Sequence, residues 1–132
     1  MEENKKFKLV SSKKTRHLLP NILTLGGKVE EINYKPGKFL NASLDKASEE
    51  NERNYYKIKC NKSGEEIIIV QIAGLIARRI VCEVEEGQSL KQGERLGMIR
   101  FGSRVDVYFK NKKTLAKTGQ NVVAGESLIA SE

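Results

Sequence analysis

Gly87-Gln-Ser-Leu-Lys-Gln-Gly-Glu-Arg-Leu96 returns near the C-terminus as Gly119-Gln-Asn-Val-Val-Ala-Gly-Glu-Ser-Leu128. Both copies read Gly-Gln-x-apolar-x-x-Gly-Glu-x-Leu, a glycine-bracketed turn leading into a short strand. Two such units predict quasi-equivalent halves of one mainly β domain, a small β-sandwich or barrel of the barrel-sandwich kind. The rest of the chain agrees. From Gly26 onward, apolar runs of roughly four to eight residues are divided by turn signals. Lys28–Tyr34 reads as a strand closed by Pro36-Gly37, and Tyr55–Cys60 with Glu65–Gln71 as a hairpin around Gly64. Ser43–Asn54 is polar, with room for one helical turn over Asp45–Glu52. Gly74 interrupts an apolar run and marks a bend. Val105, Val107 and Phe109 alternate with Arg104, Asp106, Tyr108 and Lys110, the period of a half-buried strand. Asp106 reads by default as a solvated strand-edge carboxylate, with anchoring of a neighbouring arginine or carrying a proton as the alternatives.

At 132 residues the chain fits one domain. Residues 1–20 read as a basic, poorly ordered lead-in and 21–132 as the folded domain. The net charge of +7, from 24 Lys+Arg against 17 Asp+Glu, favours an anionic partner, either nucleic acid or an acidic lipid surface. Nucleic-acid binding is disfavoured, because the four Tyr and four Phe form no stacking row beyond Tyr55-Tyr56. No apolar run approaches the ~20 residues that span a bilayer, and the N-terminus is too polar for a signal peptide. Cys60 and Cys82 lack metal-ligand spacing and read as reduced cytoplasmic thiols, so no metal is expected. His17, the only histidine, sits in the basic stretch and reads as solvated.

Chemistry enters at Gly102-Ser103. The flanking β-like runs Arg95–Phe101 and Arg104–Lys110 put the dipeptide at the tip of a hairpin, exposed on rigid strands. Glycine there can adopt angles closed to other residues. A serine hydroxyl so placed can attack the preceding carbonyl, exchanging the peptide bond for an ester. Elimination then leaves dehydroalanine, and hydrolysis leaves a chain that begins with a pyruvoyl group. From the dipeptide alone, a plain Gly-Ser turn is the simpler reading.

Three longer blocks change that balance: Pro36–Asn54, Val70–Cys82 and Gly93–Tyr108. In composition and order they resemble the phosphatidylserine decarboxylase proenzymes, a pyruvoyl-dependent family. The resemblance implies cleavage between Gly102 and Ser103, giving a large chain 1–102 and a small chain 103–132. Ser103 would become the pyruvoyl cofactor, which forms a Schiff base with phosphatidylserine and releases carbon dioxide and phosphatidylethanolamine. It also implies a peripheral enzyme on the cytoplasmic face of the cell membrane, acting on phosphatidylserine in an anionic surface. Arg78, Arg100 and Arg104 are candidates to hold the substrate phosphate or carboxylate, because guanidinium matches both bidentately. Arg79 is a weaker candidate. The apolar segment Ile72–Ile80 suits either an acyl-chain slot or the core. A homo-oligomer is left open.

The upstream region departs from the family. Members carry an Asp-Gly motif and a Val-His-Asn-Arg segment before the stretch matching Gly27-Lys28-Val29, and their aspartate and histidine assist self-cleavage. His17–Gly26 does not match, so neither role transfers to His17. The alternative expectation is an inactive or truncated fragment of that enzyme. A lipoyl- or biotinyl-like carrier domain is a lesser alternative. Asp45-Lys46-Ala47 resembles the lipoylated tripeptide but lies upstream of the glycine repeats.

Overall fold

A computed structural model describes residues 5–10, 18–22, 26–61, 64–76, 78–91, 94–100 and 102–109. The elements are β1 (Lys5–Val10), β2 (Leu18–Ile22), β3 (Gly27–Lys35), α1 (Ala47–Glu50), β4 (Arg53–Cys60), β5 (Glu66–Ile72), β6 (Ile80–Cys82), β7 (Ser89–Leu90), β8 (Arg95–Arg100) and β9 (Arg104–Phe109). The mainly β expectation holds. Strands β1-β9-β5-β4-β3-β7 form one curled antiparallel sheet, and β2-β8-β6 form a second. β1 and β2 lie at the ends of the stretch read as a lead-in; His17 falls outside the described residues. So does the second glycine repeat, 119–128.

Alternation explains the central strands. In β4, Asn54, Tyr56, Ile58 and Cys60 are buried on one face while their neighbours are half-buried or exposed. The register Tyr56↔Ile69 and Ile58↔Ile67 joins that face to β5. Val29, Tyr56, Ile58, Val84, Leu90 and Leu96 make one core cluster, to which the first glycine repeat contributes Leu90 and Leu96. The β4–β5 hairpin turns at Gly64 as expected, with φ 71°.

The opposite face of β5 and β9 is covered by the excursion between β3 and β4. Lys38 and Asn51 bridge its two ends, and α1 is the single expected helical turn. Its Ala47 packs with Val70 and Ile72, and half-buried Tyr55 and Tyr108 close the cluster. This cover decides the environment of β9. The expectation of a solvated Asp106 is overturned, because Arg104 and Asp106 lie on the covered face and are fully buried. Period alone does not say which face of a strand is roofed.

Candidate functional site

β8 and β9 are consecutive but belong to different sheets. Gly102-Ser103 is therefore not the tip of a hairpin; it is the corner where the chain leaves one sheet for the other. The exposure expected for Ser103 is also corrected. It is 3% exposed. Gly102 has φ 85°, the left-handed region that favours glycine.

Register explains what lies against the corner. Ile72 of β5 pairs with Arg104 of β9. Continuing that antiparallel register past both strand ends brings Gly74 opposite Gly102. The contact is close: a Cβ added at Gly74 would meet the Gly102 carbonyl oxygen at 2.0 Å. The sequence reading made Gly74 a bend; its second role, admitting that carbonyl, is visible only once the register is known. Asn41, Ala42, Leu75, Ile76 and Gly102 line a shallow pocket of about 160 Å³ beside the corner.

Two buried polar groups hold the pocket walls. Arg104 Nη1 donates to the carbonyls of Ala42 at 2.7 Å and Leu44 at 2.9 Å. Its Nη2 donates to Asp106 Oδ2 at 3.2 Å, and its Nε stands 2.9 Å from Asp106 Oδ1. Asn51, fully buried, accepts from Leu40 N–H at 3.0 Å and donates to Leu40 O at 2.8 Å and Ala73 O at 2.7 Å. It ties the excursion to the loop that carries Gly74. Nothing in the sequence singled out Asn51 beyond a polar residue just before a strand.

The candidate arginines separate. Arg104 is fully buried, its guanidinium engaged by two carbonyls and a carboxylate. Arg78 is exposed, with its guanidinium carbon 5.0 Å from the Phe39 ring centroid and its Nε donating to Leu75 O at 3.0 Å. Arg100 pairs with Leu18 in the β2–β8 register, and its side chain lies outside the described residues. In Ile72–Ile80, Ile72, Ala73 and Gly74 are buried while Leu75 and Ile76 face solvent, so burial in the core does not account for the whole segment.

Farther from the corner, Tyr56 O–H donates to Gln71 Oε1 at 2.5 Å. Burial first, then the Cys82 thiol, hold the Tyr56 phenol far above its ordinary range, whereas Asn54 acts in the opposite direction. Neither Cys60 nor Cys82 forms a disulfide. Among the described residues, no group of His, Cys, Asp or Glu is arranged to hold a metal, and no helix is long and apolar enough to cross a membrane.

Residues 19–130 match the phosphatidylserine decarboxylase family. A phosphatidylserine decarboxylase proenzyme of Pelagibacter ubique is 72% identical over 106 residues, 80% of this chain and 49% of the relative. Proenzymes of the same name from Rickettsia akari and Cereibacter sphaeroides are 55% and 54% identical, each over 83% of this chain and 48% and 47% of their own length. The chain thus spans about half the length of the curated relatives it matches. No solved structure matches it.

Proposed function

Since this chain belongs to the phosphatidylserine decarboxylase family, we propose that it carries the self-cleaving, pyruvoyl-forming half of such an enzyme, with phosphatidylserine as substrate. Gly102–Ser103 is the bond that breaks, and Ser103 is the precursor of the cofactor. The observation that carries this reading is the corner itself. A glycine at φ 85° directly precedes a buried serine, and its carbonyl oxygen is packed against Gly74.

The residues present fit the group. The Ser103 hydroxyl adds to the Gly102 carbonyl carbon, the C–N bond breaks, and the hydroxyl proton passes to the freed amine. Loss of the Ser103 α-proton then expels the Gly102 carboxylate, and water replaces the resulting enamine nitrogen, releasing ammonia. Once formed, a pyruvoyl group supplies a carbonyl that accepts the electrons left when an amino acid loses carbon dioxide. The buried Arg104–Asp106 pair would hold the new N-terminus of the small chain 103–132 against Ala42 and Leu44 of the large chain 1–102. Asp106 is committed to Arg104, so it is a poor base for the hydroxyl. General-base assistance is worth about 10²–10⁴-fold in rate, and the family's own aspartate and histidine match nothing from Gly27 onward. The enzyme would work as a peripheral protein on the cytoplasmic face of the membrane, with residues 21–132 as its catalytic domain.

Intact-mass analysis tests the reading, on this chain alone and with the upstream half of the Pelagibacter relative supplied. Self-processing yields a small chain starting at position 103 that is lighter by one ammonia than simple hydrolysis would give. That chain should also be trapped by an amine and borohydride. If only full-length mass appears even with the upstream half present, the reading fails.

A further inference from the structure

Five large apolar side chains are exposed among the described residues, and three of them, Leu44, Leu75 and Ile76, lie on the two loops beside Gly102. Leu75 is 54% and Ile76 73% exposed. Both also line the pocket at Gly102. Such clustering sets them apart from the scattered apolar residues of any soluble surface. The same loop continues into Arg78 and Arg79, both exposed. The contact from Arg78 Nε to Leu75 O, together with the Phe39 ring under its guanidinium, braces the loop from its basic side.

We infer that Leu75, Ile76, Arg78 and Arg79, together with Leu44 on the excursion between β3 and β4, form a docking surface for an anionic phospholipid bilayer. Leu75 and Ile76 enter the acyl boundary, and Arg78 and Arg79 stay at the phosphate level. The chemistry selects this occupant. Adjacent aliphatic and guanidinium groups match the layering of an anionic interface, with apolar groups below and cations above. The net charge of +7 has the sign that draws the chain to that surface. Asp45 and Glu49, exposed on the neighbouring excursion, oppose this attraction and place its cationic side on the Arg78–Arg79 loop. Docking there would bring the Gly102-Ser103 corner to the membrane, so the inference deepens the proposed reading and rests on its choice of an anionic phospholipid.

The chain contains no tryptophan, so Ile76→Trp reports on this loop alone. Its emission should shift to shorter wavelength with vesicles of phosphatidylcholine and phosphatidylserine, and acyl-chain bromines should quench it. Phosphatidylglycerol should substitute for phosphatidylserine, whereas soluble phosphoserine should have no effect. Tyr34→Trp, on β3, should stay unshifted. In Trp-bearing chains, Leu75→Ser should weaken vesicle affinity about 10-fold, and Arg79→Gln about 5-fold.

An Ile76→Trp emission that ignores vesicles while the chain co-sediments with them would overturn the inference. So would equal shifts at both tryptophan positions. A spectrum already shifted and shielded from iodide without lipid would also overturn it, since a second copy or another protein segment would then be the occupant. This readout needs no self-cleavage. A shifted Ile76→Trp in a chain that forms no pyruvoyl group even with the upstream half supplied sinks only the enzymatic reading; the reverse result sinks only the docking surface.

Discussion

Gly74 and Gly102 meet backbone to backbone: a methyl on Gly74 would stand 2.0 Å from the Gly102 carbonyl oxygen and 3.1 Å from its carbonyl carbon. Neither atom is the end of a flexible side chain, so the backbone itself would have to move. Gly74→Ala should therefore cost about 1–3 kcal/mol, the usual range for overpacking, and turn the carbonyl away from Ser103. Urea titration measures the first effect, and the rate of small-chain release measures the second. Unchanged stability would mean that the two loops are not held in this contact.

Arg104 and Asp106 predict a non-additive pair. Removing one partner leaves the other charge buried, at a cost of about 3–5 kcal/mol. Arg104→Met and Asp106→Leu should each destabilise strongly, while the double variant should fall short of their sum by about 1–3 kcal/mol. It will not reach wild-type stability, because the Ala42 and Leu44 carbonyls also lose their donor. A double-mutant cycle by chemical denaturation checks this. Additive effects would show that the two side chains do not share one burial cost.

How much of this was legible beforehand follows from what each signal encodes. The strands around Tyr56 and Ile69 were readable because period-2 alternation is local, and the hairpin at Gly64 because a glycine turn is local too. The separation of β8 from β9 was not, since adjacency in sequence suggests pairing and only the competing partners β1, β2, β5 and β6 decide otherwise. Arg104 and Asp106 misled for a related reason. Alternation gives two faces without a sign, and a polar excursion whose backbone carbonyls receive the guanidinium made the charged face the inner one. The Ser103 position was marked by the residues around it, while the contact that seats the Gly102 carbonyl depended on Gly74, distant in sequence.

Tyr56 predicts an alkaline weakness. Its phenol is held neutral in the folded state far above the ordinary value near 10, whereas the unfolded chain ionises near that value. The unfolded state then binds fewer protons, so this contribution to stability is complete below about pH 10 and falls as pH rises further. Tyr56→Phe should cost about 1–3 kcal/mol at pH 7 by removing the hydrogen bond to Gln71. It should also flatten the loss of stability above about pH 10. Thermal melts of both proteins across that window decide the matter; parallel curves would remove Tyr56 as the cause.

Asn51 offers the sharpest test of how the corner is held. Its amide nitrogen faces two carbonyls, Leu40 O at 2.8 Å and Ala73 O at 2.7 Å, and its oxygen accepts from Leu40 N–H. Asn51→Ala should cost about 2–4 kcal/mol, because the buried Ala73 carbonyl and the half-buried N–H and carbonyl of Leu40 lose their partner. Asn51→Asp preserves the shape but turns a donor into an acceptor against two carbonyl oxygens, so it should be worse than alanine at pH 7. The aspartate variant should recover as pH falls toward about 4, where protonation restores one donor. Both substitutions loosen the loop that bears Gly74 and Leu75, so small-chain release should slow in the same order. If aspartate proves milder than alanine at neutral pH, the Asn51 amide cannot be donating to Leu40 and Ala73, and the tie between the two loops must lie elsewhere.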